Sequence, residues 1–334
     1  AYSKNTLKQE LLRSDIAEDD YLSNSVGSAF PAIVTKRYQS ALADHSLRRE
    51  IIATQLSNTL VNEMGCVFVY RLMDETGASP ADVVRAYAAA RDIFDLPTAW
   101  QEIEALDYKL EMKYQLEMML IGTRLIRRAT RWILRNFRLG INIAEVVKRY
   151  SQAVKDLYEY LPNILVGRRQ EQFTEHLNYY TELNVPDGVA RKISSASAMF
   201  SALDIIEAAT HNDMAVRDVA NYYFAVGNEL NLGWLREQIN EQAPETHWET
   251  LALSAFRDDL DLLQRVLAIS VLKFDCEDED TNDRIQAWSD YYANLVTRWQ
   301  SMASNIRASR NISLTVLFVG LRELMDLAQA SSSA

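Results

Sequence analysis

Residues 47–96 read LRREIIATQLSNTLVNEMGCVFVYRLMDETGASPADVVRAYAAARDIFDL, and the parsing of this stretch decides the fold. Its apolar positions Ile52, Leu56, Leu60, Met64, Phe68 and Leu72 recur every four residues, which winds an apolar stripe slowly round a helix. The spacing predicts one long buried helix running through Gly65. A glycine inside a helix costs about 1 kcal/mol relative to alanine, so Gly65 beside Cys66 predicts a close approach of another backbone. The stop is explicit at Thr76-Gly77. Ser79 then offers an N-cap, Pro80 the first helical position and Asp82 a carboxylate facing the free N–H groups, so a second helix starts at Pro80.

Working outward, residues 3–13 read as a helix, 14–28 as a polar, aspartate-rich connection, and 31–43 as a helix with Ile33, Tyr38 and Leu42 facing inward. Downstream, Pro97-Thr98 opens a helix expected to run from Ala99 to about Arg138. A weak repeat links Ala81-Asp82-Val83-Val84-Arg85-Ala86-Tyr87 to Ala144-Glu145-Val146-Val147-Lys148-Arg149-Tyr150, and more faintly to Arg217-Asp218-Val219-Ala220-Asn221-Tyr222-Tyr223. Each copy is read as following a longer helix, and chance or shared capping grammar explains the likeness equally well. Leu161-Pro162 and Gly167 read as the end of the second copy, and Val185-Pro186-Asp187-Gly188 as a turn. The last third is expected to form helices over 250–272, 283–307 and 312–328, the first opened by the capping box Thr246-x-x-Glu249, with a frayed tail from Ser331. The fold class is all-α: long helices in a bundle or elongated array, without a Rossmann domain. Three parts are expected: a lead-in over 1–45, a main helical subdomain over 46–184 and a second helical subdomain over 185–334.

Composition agrees. The 334 residues are 48% hydrophobic, with ten glycines and six prolines, which favours helices and allows a sizeable core. Against 35 basic side chains stand 46 acidic ones, a net charge of −11. This argues for solubility and against nucleic acid, whose phosphates require a concentrated positive face. Two cysteines far apart suit a reducing compartment, the cytoplasm, and exclude a cysteine-built zinc site. The chain begins Ala1-Tyr2-Ser3 without a signal-like apolar core, as expected of a piece of a longer protein. Its longest apolar run, Ile312 to Leu321, is too short to span a bilayer, so no membrane role is assigned.

The sharpest constellation is basic. Arg124, Arg128, Arg131, Arg135 and Arg138 alternate steps of four and three, which aligns five guanidinium groups on one helix face with Arg127 beside them. Repelling like charges call for anions. Acidic helices of the same chain or solvent can satisfy them, or the stripe is a docking face for another domain, a subunit or a small anionic effector. The acidic run Asp275 to Asp283 fails as a calcium loop, because with Asp278 as first ligand Asp283 falls where glycine is needed and Ser289 where a glutamate is needed. It reads as a solvated loop whose last residues cap the next helix. Asp258, Asp259 and Asp261 lack the one-turn spacing of a magnesium cluster and read as an exposed helix face. His45, His176, His211 and His247 are scattered, so no metal site is assigned. No glycine-rich phosphate loop is present.

The runs Leu47 to Ala78 and Asp82 to Leu96 resemble the C-terminal region of the large bacterial NAD-specific glutamate dehydrogenases. There an LRREIIATxxxNxxVNxxGxxFVxRLxxETGA-like run is followed by a DVVRAYxxARxxFxL-like helix. The likeness continues through AYSKNTLKQELLRSDIAEDDYL at the start, FPAIVTKRY at Phe30 to Tyr38 and RRATRWILRN at Arg127 to Asn136, covering at least residues 1–165. The resemblance implies a parent enzyme that converts L-glutamate to 2-oxoglutarate and ammonium with NAD as cofactor, its nicotinamide- and glutamate-binding domains lying upstream. None of the family's catalytic lysine or glycine-rich positions has a counterpart here, so no catalytic or cofactor-binding residue is assigned and no cofactor is expected in this segment. The implied partners are the catalytic domains of the same polypeptide and neighbouring copies in a homo-oligomer, with a structural, oligomerisation or regulatory role. The alternative is a free-standing helical scaffold. An all-helical metal-dependent enzyme built on the acidic clusters is a third class.

Overall fold

The computed structural model describes residues 4–23, 29–38, 41–42, 44–138, 140–276, 280–309 and 312–332, and among these every regular element is a helix. The chain divides into two units, one of residues 1–154 with 184–189, the other of 155–183 with 190–334. The first contains α1 (Lys4–Arg13), a 3-10 turn (Ile16–Glu18), α2 (Asp20–Ser23), α3 (Ala32–Arg37), α4 (Arg48–Met64), α5 (Phe68–Thr76), α6 (Pro80–Ile93), α7 (Leu96–Glu104), α8 (Met112–Asn136) and the start of α9 (Ile143–Ile164). The second contains the rest of α9, then α10 (Gly167–Glu182), most of α11 (Asp187–Met199), α12 (Ala202–Asn212), α13 (Val216–Glu229), α14 (Leu232–Glu241), α15 (His247–Lys273), α16 (Thr281–Tyr291), α17 (Ala293–Ala308) and α18 (Leu314–Ser332).

Stretch 47–96 contributes three main helices where two were expected. Gly65 has φ +84° and closes α4 by donating to the Val61 carbonyl at 3.0 Å. A Cβ placed on it would meet nothing within 4 Å, so Gly65 meets a backbone requirement and no close approach. The apolar stripe nevertheless crosses the break, with Ile52, Leu60, Met64, Phe68 and Leu72 all buried. Gly77 caps α5 in the left-handed region, and the Ser79 hydroxyl accepts the Asp82 N–H at 3.1 Å to open α6.

Other breaks also fall inside expected helices. The helix expected over 99–138 is split between α7 and α8, where Tyr108 adopts φ +64° and is fully exposed. No glycine or proline marks that bend. The helix expected over 283–307 is divided at Tyr292, between α16 and α17. Pro162 lies in the last turn of α9, which continues to Ile164, and Gly167 starts α10 instead of ending a module. Ile33 and Tyr38 are exposed while Leu42 is buried; residues 39, 40 and 43 of that expected helix lie outside the described residues. The connection after α1 is less polar in packing than in composition, since Ile16, Ala17 and Leu22 are buried. At the other end the tail is tied down, because α18 runs to Ser332 and the Ser331 carbonyl accepts the Ser270 hydroxyl at 2.8 Å.

The repeat reduces to a shared helix start. Asn142 Oδ1 accepts the Glu145 N–H at 3.3 Å as Ser79 does for Asp82, Ala215 makes no cap, and Tyr87, Tyr150 and Tyr223 are each buried. The helices before α6 and α13 are shorter than those they precede, so the long-helix, short-helix module does not recur.

In the first unit, arginines close the packing of α1, α4, α6 and the 3-10 turn. Arg48 donates to the Ala17 carbonyl at 2.8 Å, and Arg49 to the Leu12 and Ser14 carbonyls at 3.0 and 2.9 Å. Arg85 of α6 meets Asp15, Asp19 and Asp82 at 2.7, 3.3 and 3.2 Å. In the second unit α15 is the axis, buried through Leu253, Leu260, Leu263, Leu267 and Val271 against α12, α13, α14, α16 and α18. Trp288 and Trp299 are buried with their indole N–H groups donating to Ser270 Oγ and the Leu230 carbonyl at 3.0 and 2.9 Å.

Two glycines separate backbone strain from simple space. Gly77→Ala forces a side chain into the left-handed region and is expected to cost about 1–2 kcal/mol. Gly188→Ala, in the first turn of α11 with no atom within 4 Å of the new Cβ, is expected to be neutral or to gain about 0.4–1 kcal/mol. Urea denaturation midpoints of the two variants check both signs.

Candidate functional site

The arginine stripe lies on α8, on the face turned from its buried residues Met118, Gly122, Leu125, Ala129 and Ile133. Its members differ in surroundings. Arg124 and Arg138 are exposed, Arg138 just beyond the helix end. Arg128 and Arg135 are partly buried and engaged with other groups. Arg131 pairs with Glu75 of α5 at 3.0 Å, their side chains only 13% and 10% exposed. Arg127 beside them is held below its ordinary pKa by the protein crowding its charged end and by Arg71, Arg124 and Arg131, against the opposing pull of Glu75. Glu75 thus faces two cations, Arg131 of the stripe and Arg127 beside it, with Arg71 and Arg124 acting in turn on Arg127.

The same face continues into the first half of α8 as an apolar row. Met112, Leu116 and Leu120 are all exposed, and the steps of four that join them lead directly to Arg124 and Arg128. This amphipathic division along the length of the helix escaped a reading confined to charge, although the i, i+4 spacing carries it.

A cavity of about 510 Å³ opens beside α4 and α6, lined by Tyr21, Gln55, Thr59, Tyr87, Arg91 and Asp92 among others. Asp92 is already committed, accepting from Tyr21 and pairing with Arg91 at 2.9 Å. Burial, then the Asp92 contact, raises the Tyr21 phenol above its usual range. Nearby, Glu63 of α4 has a buried oxygen without a hydrogen-bond partner among the described residues, and burial pushes its carboxyl up to about 7.

The second unit contains a smaller, partly open cavity of about 260 Å³, whose walls come from the start of α10, the end of α13, the start of α14 and the middle of α15. Behind it, Arg236 of α14 is buried and paired with Asp261 of α15. Asp261 is therefore turned inward by an internal cation and does not belong to an exposed face; Asp258 and Asp259 also have partners. Gln264, one turn along, accepts from Arg236 at 3.1 Å and donates to the Tyr223 carbonyl at 2.8 Å. Two glycines make room. A Cβ on Gly227 would stand 2.3 Å from Gln264 Nε2, and one on Gly167 would stand 1.8 Å from Asn228 Oδ1. No periodicity reports this cavity; the one local hint is Gly167-Arg168-Arg169, a glycine opening a helix with two arginines.

Of the acidic run, residues 277–279 lie outside the described residues, and Asp280 caps α16 by accepting the Asn282 N–H at 2.8 Å. His45 Nδ1 accepts the Leu47 N–H at 3.1 Å, and His211 stands 3.3 Å from Glu207. Among the described residues no three His, Cys, Asp or Glu side chains converge as metal ligands, and no helix is long and apolar enough to cross a membrane.

Fold and surfaces define an all-helical protein with one helix face that is apolar over half its length and cationic over the rest. The chain belongs to the glutamate dehydrogenase C-terminal family, whose profile, described as "Glutamate dehydrogenase, C-terminal", matches residues 1–326. It is 39% identical over 331 residues to a protein of Pseudomonas aeruginosa named NAD-specific glutamate dehydrogenase, covering 99% of this chain and 20% of that protein. Proteins of the same name from Halomonas elongata and Mycobacterium tuberculosis are 36% identical over 334 residues and 29% over 331, covering 100% and 99% of this chain and 21% and 20% of theirs. The chain thus spans about a fifth of the length of these relatives.

Two carboxylates give opposite predictions. Glu75→Gln removes the anion that faces Arg131 and Arg127 and is expected to cost about 2–4 kcal/mol. Part of that loss should return in 0.5 M salt, which screens the arginine repulsion, as urea denaturation at two salt concentrations will show. Glu63 has a raised pKa in the fold, so its contribution is favourable below the unfolded value near 4.5 and is lost as pH rises through about 7. Glu63→Gln is therefore expected to stabilise at pH 8 by about 1 kcal/mol, after allowance for solvent screening, and to change little at pH 4.5. Melting temperatures at the two pH values check it.

Proposed function

We propose that the chain is the helical C-terminal part of a large, cytoplasmic NAD-specific glutamate dehydrogenase that oxidises L-glutamate to 2-oxoglutarate and ammonium, with hydride passed to NAD in domains outside this segment. The observation that carries the reading is the match of essentially the whole chain to about a fifth of each relative. Within such an enzyme the segment packs against the catalytic part of the same polypeptide and against neighbouring subunits, influencing assembly or allosteric response. The exposed face of α8 supports this. Its Met112, Leu116 and Leu120 supply an apolar row that loses contact with water on docking, and the exposed Arg124 and Arg138 of the stripe supply charge complementary to an acidic surface.

The test compares glutamate oxidation with NAD by this 334-residue chain and by the full-length protein that carries it. Activity confined to the full-length protein is expected; activity in the isolated chain would overturn the assignment of catalysis elsewhere. For the docking face, Arg124→Glu with Arg138→Glu alters the two exposed arginines and leaves the Glu75–Arg131 pair in place. Light scattering should then report a smaller assembly, or kinetics a changed rate. If assembly, rate and effector response all stay as in the wild type, α8 is not the docking face.

A further inference from the structure

Inside the second unit stands a cation, Arg169, that makes no ion pair among the described residues, the acids that attract it, Asp261 and Glu237, being paired with other cations. Arg169, in the first turn of α10, is largely enclosed; its guanidinium donates to the Ser197 carbonyl at 3.0 Å, and among the described residues no carboxylate lies within ion-pairing distance of it. The surrounding acids are already taken. Asp261 pairs with Arg236, while Glu237 accepts from Gln172 at 2.7 Å and faces Arg168 at 3.5 Å. Burial, then the repulsion of Arg236, pushes the Arg169 guanidinium down to about 10, against the opposing pull of Tyr223, Asp261 and Glu237. An enclosed cation without an anion is costly, and removing any adjacent charge partner from such a site leaves that cost uncompensated.

Arg169 lines the cavity of about 260 Å³ together with Arg168 and Glu237, which face each other at 3.5 Å, and three further features there favour negative charge. The starts of α10 and α14, helices of 16 and 10 residues, both border it. Their N-cap residues, Val166 and Asn231, line the cavity and make no side-chain cap hydrogen bond. The Asn228 amide is held at the wall by its close approach to Gly167. Phe224 and Trp234 add apolar lining, and Arg307 stacks 4.7 Å from the Trp234 ring.

We propose that this cavity binds a small oxyanion, the carboxylate or phosphate of a molecule of a few carbon atoms, with Arg169 as its charge partner and the Asn228 amide as a second donor. A guanidinium supplies paired N–H donors suited to either group. The volume falls just below the common range for drug-sized ligands, which suits a small organic acid or phosphate and excludes a dinucleotide. The site is separate from the docking face on α8 and from glutamate oxidation, so a binding readout tests it without turnover.

The experiment is calorimetric titration of the full-length protein with inorganic phosphate and, separately, with succinate, the Arg169→Gln and Asn228→Asp variants beside the wild type and circular dichroism recording their helical content. At least one probe is expected to bind the wild type saturably, with a Kd of about 1 mM or tighter. Which probe binds distinguishes phosphate from carboxylate. Each folded variant is expected to bind at least tenfold more weakly. Hydrogen exchange on the wild type supplies a reading that does not depend on the variants folding: the bound probe should slow exchange of amides within 166–172 and 228–237. Absence of saturable binding by both probes, undiminished binding in both folded variants, or binding without protection of those two segments would overturn the proposal.

Discussion

The pair formed by Arg236 and Asp261 fixes where three helices of the second unit meet. A guanidinium buried without a carboxylate costs several kcal/mol, so α14 and α15 are held at the one placement that joins the two charges. Gln264 extends that placement to α13, accepting from Arg236 and donating to the Tyr223 carbonyl. The absence of a side chain at Gly227 is what lets the amide reach that far. Once these groups are satisfied, the space left between α10, α13, α14 and α15 is the arginine-lined cavity, a by-product of hydrogen-bond geometry that no single helix encodes.

A looser version of the same logic governs the first unit. Arg85 gathers Asp15, Asp19 and Asp82, and the hydrogen bond it offers Asp15 keeps that carboxyl below its ordinary range. Because Asp15 is largely exposed, solvent screens much of this pair. The cluster therefore serves more to orient the segment after α1 than to stabilise it. Arg48 and Arg49 do the same through backbone carbonyls, so two adjacent arginines at a helix start reach back along the chain. On α8, Arg131 follows this inward pattern with Glu75, whereas Arg124 and Arg138 remain exposed. A stripe uniform in sequence is divided by its neighbours into a structural half and a surface half.

What the sequence by itself determined is the helical class and the local grammar of helix ends. Ser79, Asn142 and Thr246 cap the helices they precede, and the four-residue spacing of Ile52, Leu60, Met64, Phe68 and Leu72 selects the buried face even where the helix is broken. These signals act within one turn, so the chain carries them locally. The bends at Tyr108 and Tyr292 have no such signal, because nothing in residue type forbids the helix there and packing decides. Gly65 shows the converse: its presence was evident, but whether it answered a need for space or for positive φ depended on what surrounds it. The inward turn of Asp261, the partnering of Arg131 and the placement of Arg169 among acids already paired with other cations were all decided by tertiary structure. Each depends on a group brought near from tens of residues away, and charge compensation is a property of distance in space, which spacing along a single helix does not contain.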